Sequence, residues 1–178
     1  MKKNLSVAEL GATVAEKLAA HGIEAVLTGG SVVSIYTKNE YSSWDLDFVV
    51  TGFAKSVDDA MKELGFARKG KNFIHPDTSF TVEFPVGPLM VGEMPVRNID
   101  RLKTKHGVLK LLPPTECVMD RLSAYFHFKD PQGLDQAVAV ATAHPVDLKR
   151  IEKWSKSEGH ADRHADFRAR LNSKLPRK

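Results

Sequence analysis

A short apolar run from Ile23 to Thr28 ends in Gly29-Gly30-Ser31, and thirteen residues later the chain reads Asp45-Leu46-Asp47. No other feature constrains the fold as much. The run predicts a buried strand that feeds a tight glycine turn. The turn opens a helix from Val32 to Tyr36, which fades before Lys38-Asn39-Glu40, and Leu46 to Val50 forms the next strand, opened by Asp45. Backbone N–H groups at the start of such a helix are free and its dipole is positive there, so a phosphate is the natural ligand. Glycine lets a phosphate approach the backbone closely, and the Ser31 hydroxyl is expected to add a donor. Asp45 and Asp47 are two apart on a strand and share a face, while Leu46 points into the core and Phe48 returns to its side. Paired carboxylates repel unless cations lie between them, and an oxygen-only set of this kind suits Mg²⁺ bound together with substrate phosphates.

The rest of the chain frames this unit. Ser6-Val7-Ala8-Glu9 reads as a capping box, and Leu10, Val14 and Leu18 recur at helical spacing up to about Ala20. Ser56 caps a third helix that Gly65 stops, and residues 67–74 read as a hairpin turning at Lys69-Gly70-Lys71. Phe80 to Phe84 alternates as a strand. Pro85, Gly87 and Pro88 form a loop, and weaker strand signals run on to Leu112. Beyond Pro113-Pro114 only helical patterns remain. They run from Thr115 or Glu116 to about Phe128, from Asp130-Pro131 to near His144-Pro145, from Asp147 to Gly159, and from Ala161 to Leu171. The expected fold is α/β (α+β): a mixed sheet with flanking helices over residues 1–112, then a helical subdomain with a basic tail over 113–178. With 178 residues, 42% of them hydrophobic, the chain can bury a core without disulfides, and its one cysteine, Cys117, excludes an internal disulfide.

Charge is unevenly placed. From Gly159 onward, Arg163, Arg168, Arg170, Lys174, Arg177 and Lys178 stand against Asp162 and Asp166, so the net charge of +4 sits entirely in this end. Such a tail reads first as a solvated, partly frayed terminal helix, and it can also attract a polyanion such as RNA or a tRNA end. His160 and His164 have metal-ligand spacing but lack an evident third ligand, and Cys117 has no base placed to activate it. Lys69, Lys71, Arg97, Arg101, Lys103 and Lys105 read mostly as solvated charges, one or two of which could line a triphosphate path. No apolar stretch approaches the roughly 20 residues of a membrane span. Glu9, Glu16 and Lys17 break up any signal-peptide core after Met1-Lys2-Lys3, so a cytoplasmic protein without membrane partners is expected.

A third acid completes the pattern. Glu83 lies in Thr81-Val82-Glu83-Phe84, flanked by apolar residues that face away from it, and an acid there is costly unless used or paired. With Gly29, Gly30, Ser31, Asp45, Asp47 and Glu83 in this order and setting, the sequence resembles the DNA polymerase β-like nucleotidyltransferase superfamily. Residues Leu112 to Glu116, Asp120 to Ala124, Lys129-Asp130 and Asp135 are similar to the helical half of small bacterial members, which include toxin-type nucleotidyltransferases of abortive-infection systems and antibiotic-modifying ones. The resemblance spans about residues 10 to 155. It differs in Glu83 where many members have Asp, in Arg121 where the family helix usually has Lys, and in Trp44 before the first acid. The resemblance implies two Mg²⁺ ions between Asp45, Asp47 and Glu83, and an NTP whose phosphates rest on Gly29, Gly30 and Ser31. Arg121 and Lys129 are the further nucleotide-binding candidates. It implies transfer of an NMP to an acceptor hydroxyl on RNA, a small molecule or a protein, and an antitoxin protein as a possible partner. The alternative is a catalytically degenerate nucleotide-binding or protein-interaction member of the same fold, against which the presence of all three acids argues.

Overall fold

Ser6 starts the first element as its sequence predicts. Its hydroxyl accepts from the Glu9 backbone N–H and the Glu9 carboxylate accepts from the Ser6 N–H, a reciprocal cap on α1 (Val7–Ala20). The computed structural model describes residues 5–51, 55–128 and 130–174. After α1 come β1 (Glu24–Thr28), α2 (Gly29–Tyr36), β2 (Asp45–Thr51), α3 (Lys55–Glu63), β3 (Ala67–Lys69), β4 (Asn72–Ile74), β5 (Thr81–Glu83), β6 (Met90–Val91), β7 (Met94–Pro95), β8 (Asp100–Thr104) and β9 (Gly107–Leu111). From Pro114 on, only helices follow among the described residues: α4 (Pro114–Phe128), α5 (Pro131–Ala143), α6 (Leu148–Ser157) and α7 (Ala161–Lys174).

Seven strands form one sheet in the order β3-β4-β5-β2-β1-β9-β8, and β6 and β7 pair separately. The sheet is mixed. β1 runs antiparallel to β2 and parallel to β9, and β2 runs parallel to β5. Two registers matter for the site: Thr28 lies opposite Asp47, and Asp47 lies beside Glu83. Leu46 and Phe48 are fully buried on the face opposite the acids, as their alternation predicts. On α1, Leu10, Val14 and Leu18 are fully buried, and the helix packs over β1 and β9. One continuous set of buried side chains runs from these through Leu112, Cys117 and Leu122 to Trp154 and Phe167, so sheet and C-terminal helices share a core. No helix among the described residues is long and apolar enough to cross a membrane.

The α/β class and the mixed sheet agree with the sequence reading, and details differ. α2 begins at Gly29 rather than Val32, so the glycines are its first turn and not a separate loop before it. β5 covers only the middle of the expected strand, and α7 continues to Lys174. Asp130 and Asp147 cap α5 and α6 through the N–H groups of Gln132 and Arg150. The Ser56 cap falls outside the described side chains.

α4 and α5 approach so closely at Gly133 that a Cβ there would lie 2.6 Å from the Arg121 carbonyl oxygen. Alanine normally gains up to about 1 kcal/mol over glycine inside a helix. Here the obstacle is backbone, which cannot step aside, and overpacking of this kind costs about 1–3 kcal/mol. The clash outweighs the propensity gain. Gly133→Ala is expected to lower the unfolding free energy by about 1–2 kcal/mol in urea denaturation; a more stable variant would show that the helices can move apart freely.

Candidate active site

The β1–β2 register builds the site from its centre. Because Thr28 faces Asp47, the chain turns into α2 directly over the Asp47 carboxylate. Gly29 adopts φ +71°, and a Cβ there would stand 2.5 Å from Asp47 Oδ2. Conformation and space both require glycine at this point. Thr28, the residue before the helix, donates its hydroxyl to the Asp47 carbonyl (3.2 Å) and gives no side-chain cap to α2. The first N–H groups of the helix therefore have no side-chain acceptor from the capping position.

Ser31 departs from expectation. Its side chain is fully buried and its hydroxyl donates to the Asp45 carbonyl oxygen at 2.5 Å, which fastens α2 to the start of β2. The hydroxyl is thus committed to the backbone. Gly30 faces Ser43, whose Oγ would lie 3.2 Å from an added Cβ. Of the glycine turn, Thr28 and Gly29 line the cleft.

The three acids are neighbours in the sheet. Asp45 pairs in register with Thr81 and Asp47 with Glu83. Asp45 accepts a hydrogen bond from the Thr81 hydroxyl, and Glu83 Oε2 lies 3.0 Å from Lys71 Nζ. Asp47 is the least accommodated. Burial first, then the charges of Glu83 and Asp45, push its carboxyl up to about 6, with Arg121 pulling in the opposite direction. Among the described residues, no three His, Cys, Asp or Glu side chains are gathered closely enough to hold a metal ion. Two of the acids have protein partners instead, Asp45 the Thr81 hydroxyl and Glu83 the Lys71 ammonium. The donor set itself fits a hard cation: three carboxylates on adjacent strands, oxygen-only, with one disfavoured in its charged form by the others.

Across from Asp47, helix α4 supplies Arg121. Its Nε and Nη2 lie 2.9 and 2.5 Å from Asp120 Oδ2. Burial opposes the guanidinium's charge, but the Asp120 carboxylate prevails and raises its pKa above the ordinary arginine value. Thr28, Gly29, Asp47, Val49, the 85–88 loop, Met90, Asp120 and Arg121 enclose a cleft of 320 Å³. A larger hollow of 800 Å³ lies beside Trp44, which is 57% exposed and packs on Phe80, but no acid of the triad or arginine of α4 lines it.

Several residues were not legible as part of the site. Asp120 precedes Arg121 in sequence, but only the folded helix shows it holding that guanidinium. Thr81 joins the surroundings of the acids through strand pairing, and Lys71, one of six cations the sequence offered for a phosphate path, lies beside Glu83. Lys129 lies outside the described residues, as do Arg177 and Lys178. Of the remaining tail charges, Arg163 donates to the carbonyls of Tyr125 and Phe126 at the end of α4, and Arg170 pairs with Asp135. These arginines serve the fold, which weakens the tail as an RNA-binding element. His160 packs on Phe126, and Cys117 is buried, which pushes its thiol pKa far up, as a core cysteine requires.

No family model matches the chain, and no curated protein matches it in sequence. Solved structures do. An antigenic nucleotidyltransferase-like protein from Paracoccidioides brasiliensis superimposes with TM-score 0.52 at 16% identity, covering 74% of each chain. The antibiotic-resistance factor ANT(2'')-Ia superimposes with TM-score 0.51 at 10% identity, over 94% of this chain and 93% of that one. The fold is nucleotidyltransferase-like. The resemblance read from the glycine turn and the acids therefore agrees with the architecture, and in the second case almost the whole chain takes part, C-terminal helices included.

The pKa shift gives a test. A carboxyl raised to about 6 from 3.8 binds more protons folded than unfolded between those values, so stability falls as pH rises through that window. The loss attributable to Asp47 is at most about 3 kcal/mol and is complete above pH ~6. Asp47→Asn should be as stable as wild type or more so at pH 7.5, and should lack this part of the decline in melting temperature between pH 4 and 6. An equal decline in both proteins would mean that Asp47 is not repelled where it stands.

Proposed function

We propose that the protein is a nucleotidyltransferase that moves an NMP from an NTP to an acceptor hydroxyl. The observation that carries this reading is the cleft in which Gly29, Asp47 and Arg121 meet, with Glu83 in register beside Asp47 and Asp45 two residues along the same strand. The start of α2 and the Gly29 backbone would bind the phosphate chain. Arg121, oriented by Asp120, would pair with a phosphate oxygen from the opposite wall. Asp45, Asp47 and Glu83 would hold divalent metal, Mg²⁺ by their chemistry, which when bound polarises the reacting phosphate and neutralises its charge. Glu83 would take the proton of the acceptor hydroxyl at its carboxylate. The acceptor oxygen forms its bond to the α-phosphorus, the bond from that phosphorus to the bridging oxygen breaks, and pyrophosphate leaves. The sheet and the helices after Pro113 would act as two walls of one cleft. Among acceptors, the tail supports RNA less than its charge count suggests, because Arg163 and Arg170 are engaged internally.

The test is incubation with each labelled NTP and Mg²⁺, together with total RNA, protein extract or small hydroxyl compounds including aminoglycosides. Label should enter one acceptor class, and Asp47→Asn should abolish the transfer. Arg121→Ala should weaken NTP binding by about ten- to a hundred-fold, the value of a charge-assisted pair. NTP binding without transfer to any acceptor would favour a degenerate binding protein, and an absence of NTP binding would refute the reading.

A further inference from the structure

Glu83 already has a cation beside it. The pairing of Asn72 with Glu83 brings the start of β4 next to the third acid, and Lys71, one residue earlier, places its ammonium 3.0 Å from the carboxylate. The lysine side chain is 76% exposed and Glu83 only 23%. An exposed lysine gains little from such a pair, since water solvates it well and fixing its long stem costs rotamer freedom. The beneficiary is the acid cluster, where Glu83 stands beside the half-buried Asp47 and contributes to its repulsion.

We propose that Lys71 is a built-in counter-ion that exchanges partners: it neutralises Glu83 in the empty site and passes its charge to the substrate's phosphates when a divalent cation takes Glu83. The inference rests on the reading that the three acids hold metal. It makes Lys71 a positioning residue that governs the order of loading. A free cation must displace the Lys71 ammonium from Glu83, its ion-pair partner among the described residues. A metal–triphosphate complex brings a replacement anion with it. The site then discriminates against bare metal and in favour of metal already carried by polyphosphate.

The consequence is a pair of effects with opposite signs. In Lys71→Gln, free Mn²⁺ followed by electron paramagnetic resonance should bind about two- to five-fold tighter than in wild type, the scale of an exposed ion pair. Inorganic tripolyphosphate with Mg²⁺, followed by calorimetry, should bind more weakly by a similar factor. Lys71→Arg keeps the charge and should match wild type in both. A merely structural lysine would move both affinities in one direction or neither. Unchanged or weaker Mn²⁺ binding in Lys71→Gln, or unchanged or tighter tripolyphosphate binding, would overturn the proposal. The reading beneath it fails separately: wild type and Asp47→Asn would then both ignore Mn²⁺. If wild type binds Mn²⁺, Asp47→Asn loses it and Lys71→Gln is indifferent, only the role of Lys71 falls.

Discussion

The contact between Gly29 and the Asp47 carboxylate organises the rest of the molecule. It exists because β1 and β2 are antiparallel with Thr28 opposite Asp47, so the chain must leave β1 over an acid on its neighbour. A side chain at Gly29 would occupy the space of that carboxylate, and φ +71° would strain it as well. The helix that begins there is fastened by Ser31 to the backbone of the same strand. One register thus fixes a helix terminus, a half-buried acid and the floor of the cleft, and helix α4 adds the opposing guanidinium.

That arrangement holds like charges together in a protein that must still fold. Each acid is treated differently. Asp45 accepts from a hydroxyl, Glu83 has an ammonium within reach, and Asp47 keeps its repulsion and a raised pKa. A purely structural cluster would be expected to pair the most buried member first, because desolvation makes an unpaired buried charge the most costly. Here the half-buried Asp47 carries the strain and faces the cleft. Such a distribution suits a site whose compensation comes from outside the chain.

Much of this was legible in the sequence. The two-residue spacing of Asp45 and Asp47 fixes their shared face, and the apolar neighbours of Glu83 fix its direction, because strand alternation leaves no choice. The capping residues Ser6, Asp130 and Asp147 mark helix starts by short-range chemistry that the sequence contains in full. Pairings between distant strands were not legible. The meeting of Lys71 with Glu83 depends on a hairpin register, and the burial of Ser31 depends on how α2 lies across the start of β2. The internal partners of the basic end were not legible for the same reason. A count of arginines does not reveal that Arg163 finishes another helix or that Arg170 reaches Asp135.

The short β6–β7 ribbon, inserted between strands of the main sheet, has a topological consequence. Glu158, at the end of α6, accepts from the Glu93 N–H, and Arg150 of the same helix bonds Glu116 and reaches the Met94 sulfur. Near the chain's passage into the helices, the Tyr36 hydroxyl lies 2.8 Å from the Leu112 carbonyl, and His144 Nε2 lies 2.8 Å from the Tyr36 carbonyl. Sheet and helical bundle are therefore laced together at several places besides the peptide link at Pro113. A nick in that link would leave the two parts holding each other, as the two fragments of a split protein do, with the cleft between them intact.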